Sequence, residues 1–160
     1  MNCACIGILR AERLDDSYRW ILRQYQNKVI ENTCWFSIEL EWHIKSTYTD
    51  YEKQQLIEVF GQFPKQEILI FGECDRIFVA AHEIIKHSGG LLSVNLGDER
   101  ATINSYPGLK TAIWKDEYEY QLNHKPDYYI VDHVFIREYF NKGDEQNFER
   151  FKLDPFLPNA

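Results

Sequence analysis

A chain of 160 residues with 44% apolar side chains has the size of one domain and enough apolar surface to bury a core. Its formal charge of −7 excludes a general nucleic-acid binder, which needs a surplus of Lys and Arg on one face. Abundant aromatics (Trp 4, Tyr 10, Phe 10), with no low-complexity run, exclude a disordered chain.

The first residues, Met1 to Arg10, read as a short strand over Asn2 to Leu9. They have no basic segment and too short an apolar run for a signal peptide. No stretch of the sequence approaches the ~20 apolar residues of a membrane-spanning helix. The expectation is a cytoplasmic protein whose cysteines, Cys3, Cys5, Cys34 and Cys74, are free thiols. Cys3 and Cys5 would share one face of the strand, and small apolar side chains packed in a buried strand account for them better than a metal site. Without a Cys-x-x-Cys pair, no structural zinc is expected.

Asp15, Asp16 and Ser17 read as a helix start, followed by the amphipathic stripe Tyr18, Ile21, Leu22 and Tyr25. Thr33 to Ile44 alternates as a strand. Phe36, Ile38, Leu40, Trp42 and Ile44 take one parity, and Ser37, Glu39, Glu41 and His43 the other. Glu39 and Glu41 then stand together on the wet face, either as an ordinary solvated surface or as an acidic recognition strip. Thr49 or Asp50 opens a helix with Tyr51, Leu56, Val59 and Phe60 on its apolar side, closed by Gly61 and Pro64. Glu67 to Phe71 is a continuous apolar run, the pattern of a buried central strand. Asp75 can cap a helix from about Arg76 to His87, ended by Gly89 and Gly90.

The second half predicts closely spaced strands: Leu91 to Leu96, a return over Thr102 to Tyr106, then Leu109 to Trp114 and Glu117 to Leu122 joined around Lys115 and Asp116. Tyr128 to Val131 is another, and Asp132 caps a last helix carrying Val134, Phe135, Tyr139 and Phe140. Phe148 to Leu153 predicts a final short strand. The expected architecture is one α+β domain over residues 1–153, with a loosely ordered tail at 154–160. An antiparallel or mixed sheet carries about four helices in a single layer. A doubly wound parallel sheet is disfavoured, because the later strands leave no room for crossover helices.

Catalytic signals are weak. His82-Glu83 resembles the start of a zincin motif, but the second histidine, His87, lies five residues on, and a metal pair on a helix needs three or four. Asp132 is better explained as a helix cap than as a partner of His133. There is no nucleophile elbow or phosphate loop; Gly89-Gly90 follows a helix instead of opening one. No cofactor or metal is expected. A small hydrolase or transferase would have to draw its acid–base groups from His124, Asp127, Asp132 and His133.

The stretch Ile113 to Tyr120 mixes Trp114 and two tyrosines with Asp116, Glu117 and Glu119. Its aromatics either fill a core on one strand parity or serve as contact area for a partner. With Gly89-Gly90, Pro107-Gly108 and the run from Tyr129 to Asp132 into Phe135, the second half resembles the immunity proteins that accompany bacterial polymorphic toxins of the contact-dependent inhibition or type VI secretion kind. That resemblance implies an inhibitor that binds a cognate protein toxin by masking its active site; the mixture of rings and carboxylates from Ile113 to Tyr120 would suit the basic active site of a nuclease. The residues expected to meet such a partner are Glu39, Glu41, Trp114, Asp116, Glu117 and Glu119. Neither nucleic acid nor membrane is an expected partner. The inhibitor would be a monomer or homodimer, and a regulatory or scaffold homodimer is the remaining alternative.

Overall fold

A computed structural model describes residues 3–14, 36–41, 44, 47–97 and 100–140. The expected helix at Asp15 to Tyr25, the strand at Phe148 to Leu153 and the tail lie outside these residues. Six strands form one sheet: β1 (Cys3–Arg10), β2 (Phe36–Glu41), β3 (Gln66–Glu73), β4 (Leu91–Val94), β5 (Leu109–Ile113) and β6 (Tyr128–Val131). Their spatial order is β2-β3-β1-β4-β6-β5, and every neighbouring pair is antiparallel. The helices are α1 (Asp50–Phe60), α2 (Cys74–Ser88), α3 (Arg100–Asn104), α4 (Glu117–Gln121) and α5 (His133–Phe140). The α+β class and the buried position of the apolar run in β3 follow the sequence pattern.

Side-chain alternation sends Ile6 and Ile8 of β1, Ile68 and Ile70 of β3, Leu92 and Val94 of β4, and Tyr129 and Val131 of β6 to one face. There they pack with Ile77, Ala80, Ala81 and Ile84 of α2 and with Phe135 and Ile136 of α5. Leu9, Leu91, Tyr128 and Ile130 have the opposite parity. They form a second cluster with Ile113 and with Leu56, the fully buried anchor of α1.

The layering therefore differs from the expected single layer of helices: α2 and α5 cover one face, and α1 covers part of the other. The central strands are apolar on both parities, so both faces need cover.

Two expected strands are helices. Residues Thr102 to Tyr106 do not return along β4. They belong to the short helix α3, extended by backbone bonds from Ser105 N to Thr102 O at 3.1 Å and from Tyr106 N to Ile103 O at 3.2 Å. Residues Glu117 to Leu122 do not form a hairpin strand either. Asp116 accepts a hydrogen bond from Glu119 N at 2.8 Å and caps α4, and Leu122 N donates to Tyr118 O at 3.0 Å. Cys5 lies in β1 as expected, but it is exposed.

Turn chemistry is local and explicit. The chain enters α1 through a capping box: Thr49 Oγ1 accepts from Glu52 N at 3.1 Å, and Glu52 Oε1 accepts from Thr49 N at 2.9 Å. Gly90 has φ +101°, and a Cβ there would lie 2.9 Å from Ile8 Cγ2 and 3.1 Å from the Leu9 carbonyl oxygen. Only glycine lets α2 turn into β4 this close to β1. Among the described residues no helix is long and apolar enough to cross a membrane.

Candidate protein-binding surface

The clearest open site lies where α1 and α4 flank β5. Leu56 fixes which side of α1 faces the sheet. Tyr51, Gln54, Gln55 and Glu58, spaced at three, four and seven residues, then form a stripe along its flank. With Thr111 and Ala112 of β5, and with Trp114 and Tyr120, these residues line a groove of about 510 Å³.

The groove is pinned at Trp114. Gln55 Nε2 donates to the Trp114 carbonyl at 2.8 Å, and Gln55 Oε1 accepts from Trp114 N at 3.0 Å. The Trp114 indole Nε1 donates to the His124 carbonyl at 2.7 Å, and Thr49 Oγ1 donates to the Lys115 carbonyl. The ring of Tyr120 meets that of Trp114 edge to face, with centroids 5.0 Å apart. Burial, followed by the negative charge of Glu117, by Tyr120 and by Glu58, raises the Tyr51 phenol above its ordinary pKa. The groove thus combines aromatic walls with the carboxylate of Glu58, and none of its described lining residues is basic.

Because α4 is a helix, its apolar side chains turn outward. Tyr118 is 68% exposed, Tyr120 53% and Leu122 50%. The reading in which these residues fill a core is overturned, since all three side chains are exposed among the described residues.

The residues expected to bind a partner separate into two groups. Glu39 and Glu41 are on β2, at one edge of the described sheet; Trp114, Asp116, Glu117 and Glu119 follow β5, at the other. Five strand spacings of ~4.8 Å put these edges about 24 Å apart. Within the second group the roles differ. Trp114 lines the groove, Glu117 is exposed beside it, Asp116 spends its side chain on the cap, and Glu119 supplies the capped N–H. The sequence alone does not mark Tyr51, Gln54, Gln55, Glu58 and Tyr120 as partner residues. The stripe on α1 was readable, but its proximity to β5 is a long-range consequence of topology.

The acid–base candidates do not gather as a group. His124 is exposed ahead of β6, whereas Asp132 and His133 follow it. Asp132 Oδ1 accepts from Val134 N at 2.9 Å and from Phe135 N at 3.2 Å, and its Oδ2 lies 3.5 Å from Lys110 Nζ. His133 instead faces α2, its ring 5.8 Å from that of His82. The carboxylate of Glu83 is buried between two histidines, 3.1 Å from His82 Nδ1 and 3.5 Å from His87 Nε2. His82, Glu83 and His133, with Lys86 and Arg137, border a cavity of about 320 Å³ between α2 and α5. Among the described residues, no three His, Cys, Asp or Glu side chains are grouped so that they could hold a metal ion. No protein-family model, curated protein or solved structure matches the chain.

Proposed function

We propose that this protein is an immunity-type inhibitor, a binding protein that neutralises a basic protein toxin by covering its active site with the surface around α4 and the α1–β5 groove. The observation that carries this reading is the exposure of Tyr118, Tyr120 and Leu122 beside a groove lined by aromatic rings and the Glu58 carboxylate, with no basic residue among its described lining. Exposed tyrosines are among the side chains that a binding interface uses at its centre. The surrounding carboxylates would steer a cationic partner and speed encounter. An interface of roughly 800 Å² per partner would reach well beyond the groove itself.

The test is a photo-crosslinking residue at position 118, introduced into the protein in its native cells, with mass spectrometry of the captured product. The expected product is one basic protein that stops growth when produced without the inhibitor. Purified, it should form a 1:1 complex, and Glu58→Lys with Glu117→Lys should slow its association. A captured protein that is harmless alone, or that binds a Tyr118→Ser/Tyr120→Ser/Leu122→Ser variant at full strength, overturns the reading. Sedimentation of the isolated protein separates out the homodimer alternative, in which the same surface would double the mass.

A second reading, a small acid–base enzyme, is favoured by one observation: the hydrogen-bonded His82–Glu83 pair stands against His133 in an open cavity. A carboxylate that orients a histidine is a common arrangement for a general base. Screening ester and phosphoester substrates with His82→Ala and His133→Ala as controls tests it, and turnover unaffected by both substitutions rejects it.

A further inference from the structure

The groove beside Trp114 has the chemistry of a receptor for one particular side chain. Its described lining holds two aromatic rings at right angles, Trp114 and Tyr120, and a third ring, Tyr51. Gln54 and Glu58, one helical turn apart on α1, place an amide and a carboxylate on the same flank. Gln55 is committed to the Trp114 backbone, so it helps hold the groove's shape. None of the lining residues is basic.

A cation fits this site better than a neutral group, because ring faces and carboxylates both attract positive charge. Among protein cations the guanidinium matches best. It is flat and stacks on aromatic faces, it is less strongly hydrated than an ammonium, and its five N–H donors can reach several acceptors at once. An ammonium offers a compact, heavily hydrated charge that cannot stack.

We propose that the groove receives an arginine side chain from the partner protein, with its guanidinium against Trp114 and Tyr120 and its donors directed at Glu58 and Gln54. This rests on the reading of the protein as an inhibitor of a basic toxin and deepens it: the arginine is the anchor around which the wider interface is organised. The site would then select partners by a projecting arginine as well as by net charge.

The test uses the isolated protein, its tryptophan indole resonances, and three capped amino acids: N-acetyl-arginine amide, the lysine equivalent, and the neutral citrulline equivalent. The indole signal lost in Trp114→Phe identifies the reporter. Arginine should shift that signal saturably, about fivefold more tightly than lysine, the ratio expected for ~1 kcal/mol of additional cation–π and stacking contact. Citrulline should give no saturable shift. Tyr120→Ala, which alters an exposed ring, and Glu58→Gln should each weaken arginine several-fold. Absence of a saturable shift, equal response to citrulline, or equal affinity for lysine overturns the proposal. If it fails while partner binding still depends on Tyr118 and Tyr120, the inhibitor reading stands without the arginine anchor. If partner binding ignores those residues, the inhibitor reading fails on its own.

Discussion

Gln55 behaves toward Trp114 as a neighbouring strand would: its side-chain amide satisfies both the N–H and the C=O of that residue, at 3.0 and 2.8 Å. The sheet ladder ends at Ile113, so this single amide continues the hydrogen bonding for one more residue and ties α1 to the edge. It also occupies backbone groups that would otherwise be open to pairing with another chain.

Replacing Gln55 with Leu keeps the volume but removes both bonds to Trp114, together with the one from Gln55 Nε2 to the Tyr51 carbonyl at 3.0 Å, and leaves the two half-buried Trp114 backbone groups unsatisfied. The expected cost is about 1–3 kcal/mol, from the desolvation of unpaired polar groups. Urea denaturation measures it, and hydrogen exchange at Trp114 N–H should accelerate in the same variant. A midpoint equal to the parent's would mean water replaces the amide without loss.

Gly108 should be irreplaceable for a different reason. It has φ +88°, and a Cβ there would lie 2.1 Å from Asp132 Oδ1 and 2.6 Å from Phe135 N. Gly108→Ala therefore adds a clash to a left-handed backbone strain of ~1–3 kcal/mol. Asp132→Ala alone removes the cap of α5, at about 1 kcal/mol. In the double variant the two losses should sum to less than their separate values, because truncating Asp132 removes one of the two clashing groups. Strict additivity in a thermal-denaturation cycle would show that the Phe135 backbone, not the carboxylate, dominates the clash.

Local chemistry made much of the fold readable from sequence. Thr49 with Glu52, Asp132 with Phe135, and the positive φ of Gly61, Gly89 and Gly90 are signals confined to a few residues. The alternation in Phe36 to Glu41 and the apolar run of β3 correctly marked strands. Helix α4 was missed because Glu117, Tyr118, Glu119 and Tyr120 alternate perfectly, and over five residues period two does not exclude a helix. The decisive sign was Asp116 followed three residues later by Glu119, the spacing of a capping box. The groove was not legible, because Gln55 and Trp114 are 59 residues apart and only the strand order brings them together.

Acid should weaken the packing of α5 on α2. Burial first, and then the neighbouring His82, hold the His133 imidazole below the ordinary histidine value of 6.5; Lys86 acts in the same direction, and Asp132 and Glu83 oppose it. A pKa that is lower in the folded state means that the unfolded chain binds the proton more readily, so stability rises with pH across this window. The contribution is fully present above about pH 6.5 and is lost as pH falls through the folded value. Arg137 and Glu138 border the same cavity. Chemical denaturation of the parent and of His133→Gln between pH 8 and 5 should show the parent losing stability relative to the variant toward the acid end. Parallel profiles would remove His133 from the pH response.

The exposed side chains of α4 allow binding to be separated from folding. Had Tyr118 and Leu122 been core residues of a hairpin, truncating each would cost ~2–5 kcal/mol. As surface positions of a capped helix, 68% and 50% exposed, they should cost no more than ~0.5 kcal/mol each when changed to Ser. Tyr120 sits between these cases, since its edge-to-face contact with Trp114 contributes ~0.5–1.5 kcal/mol. The order Tyr120→Ala above Tyr118→Ser and Leu122→Ser in stability loss, measured by urea denaturation, checks the helical geometry directly. Tyr118→Ser and Leu122→Ser then carry the functional question without a folding defect to confuse it: each should release the partner faster, because side chains at the centre of an interface govern dissociation more than encounter. Asp116→Ala should behave in the opposite way, lowering helix stability by about 1 kcal/mol while reaching the partner only through the α4 it caps.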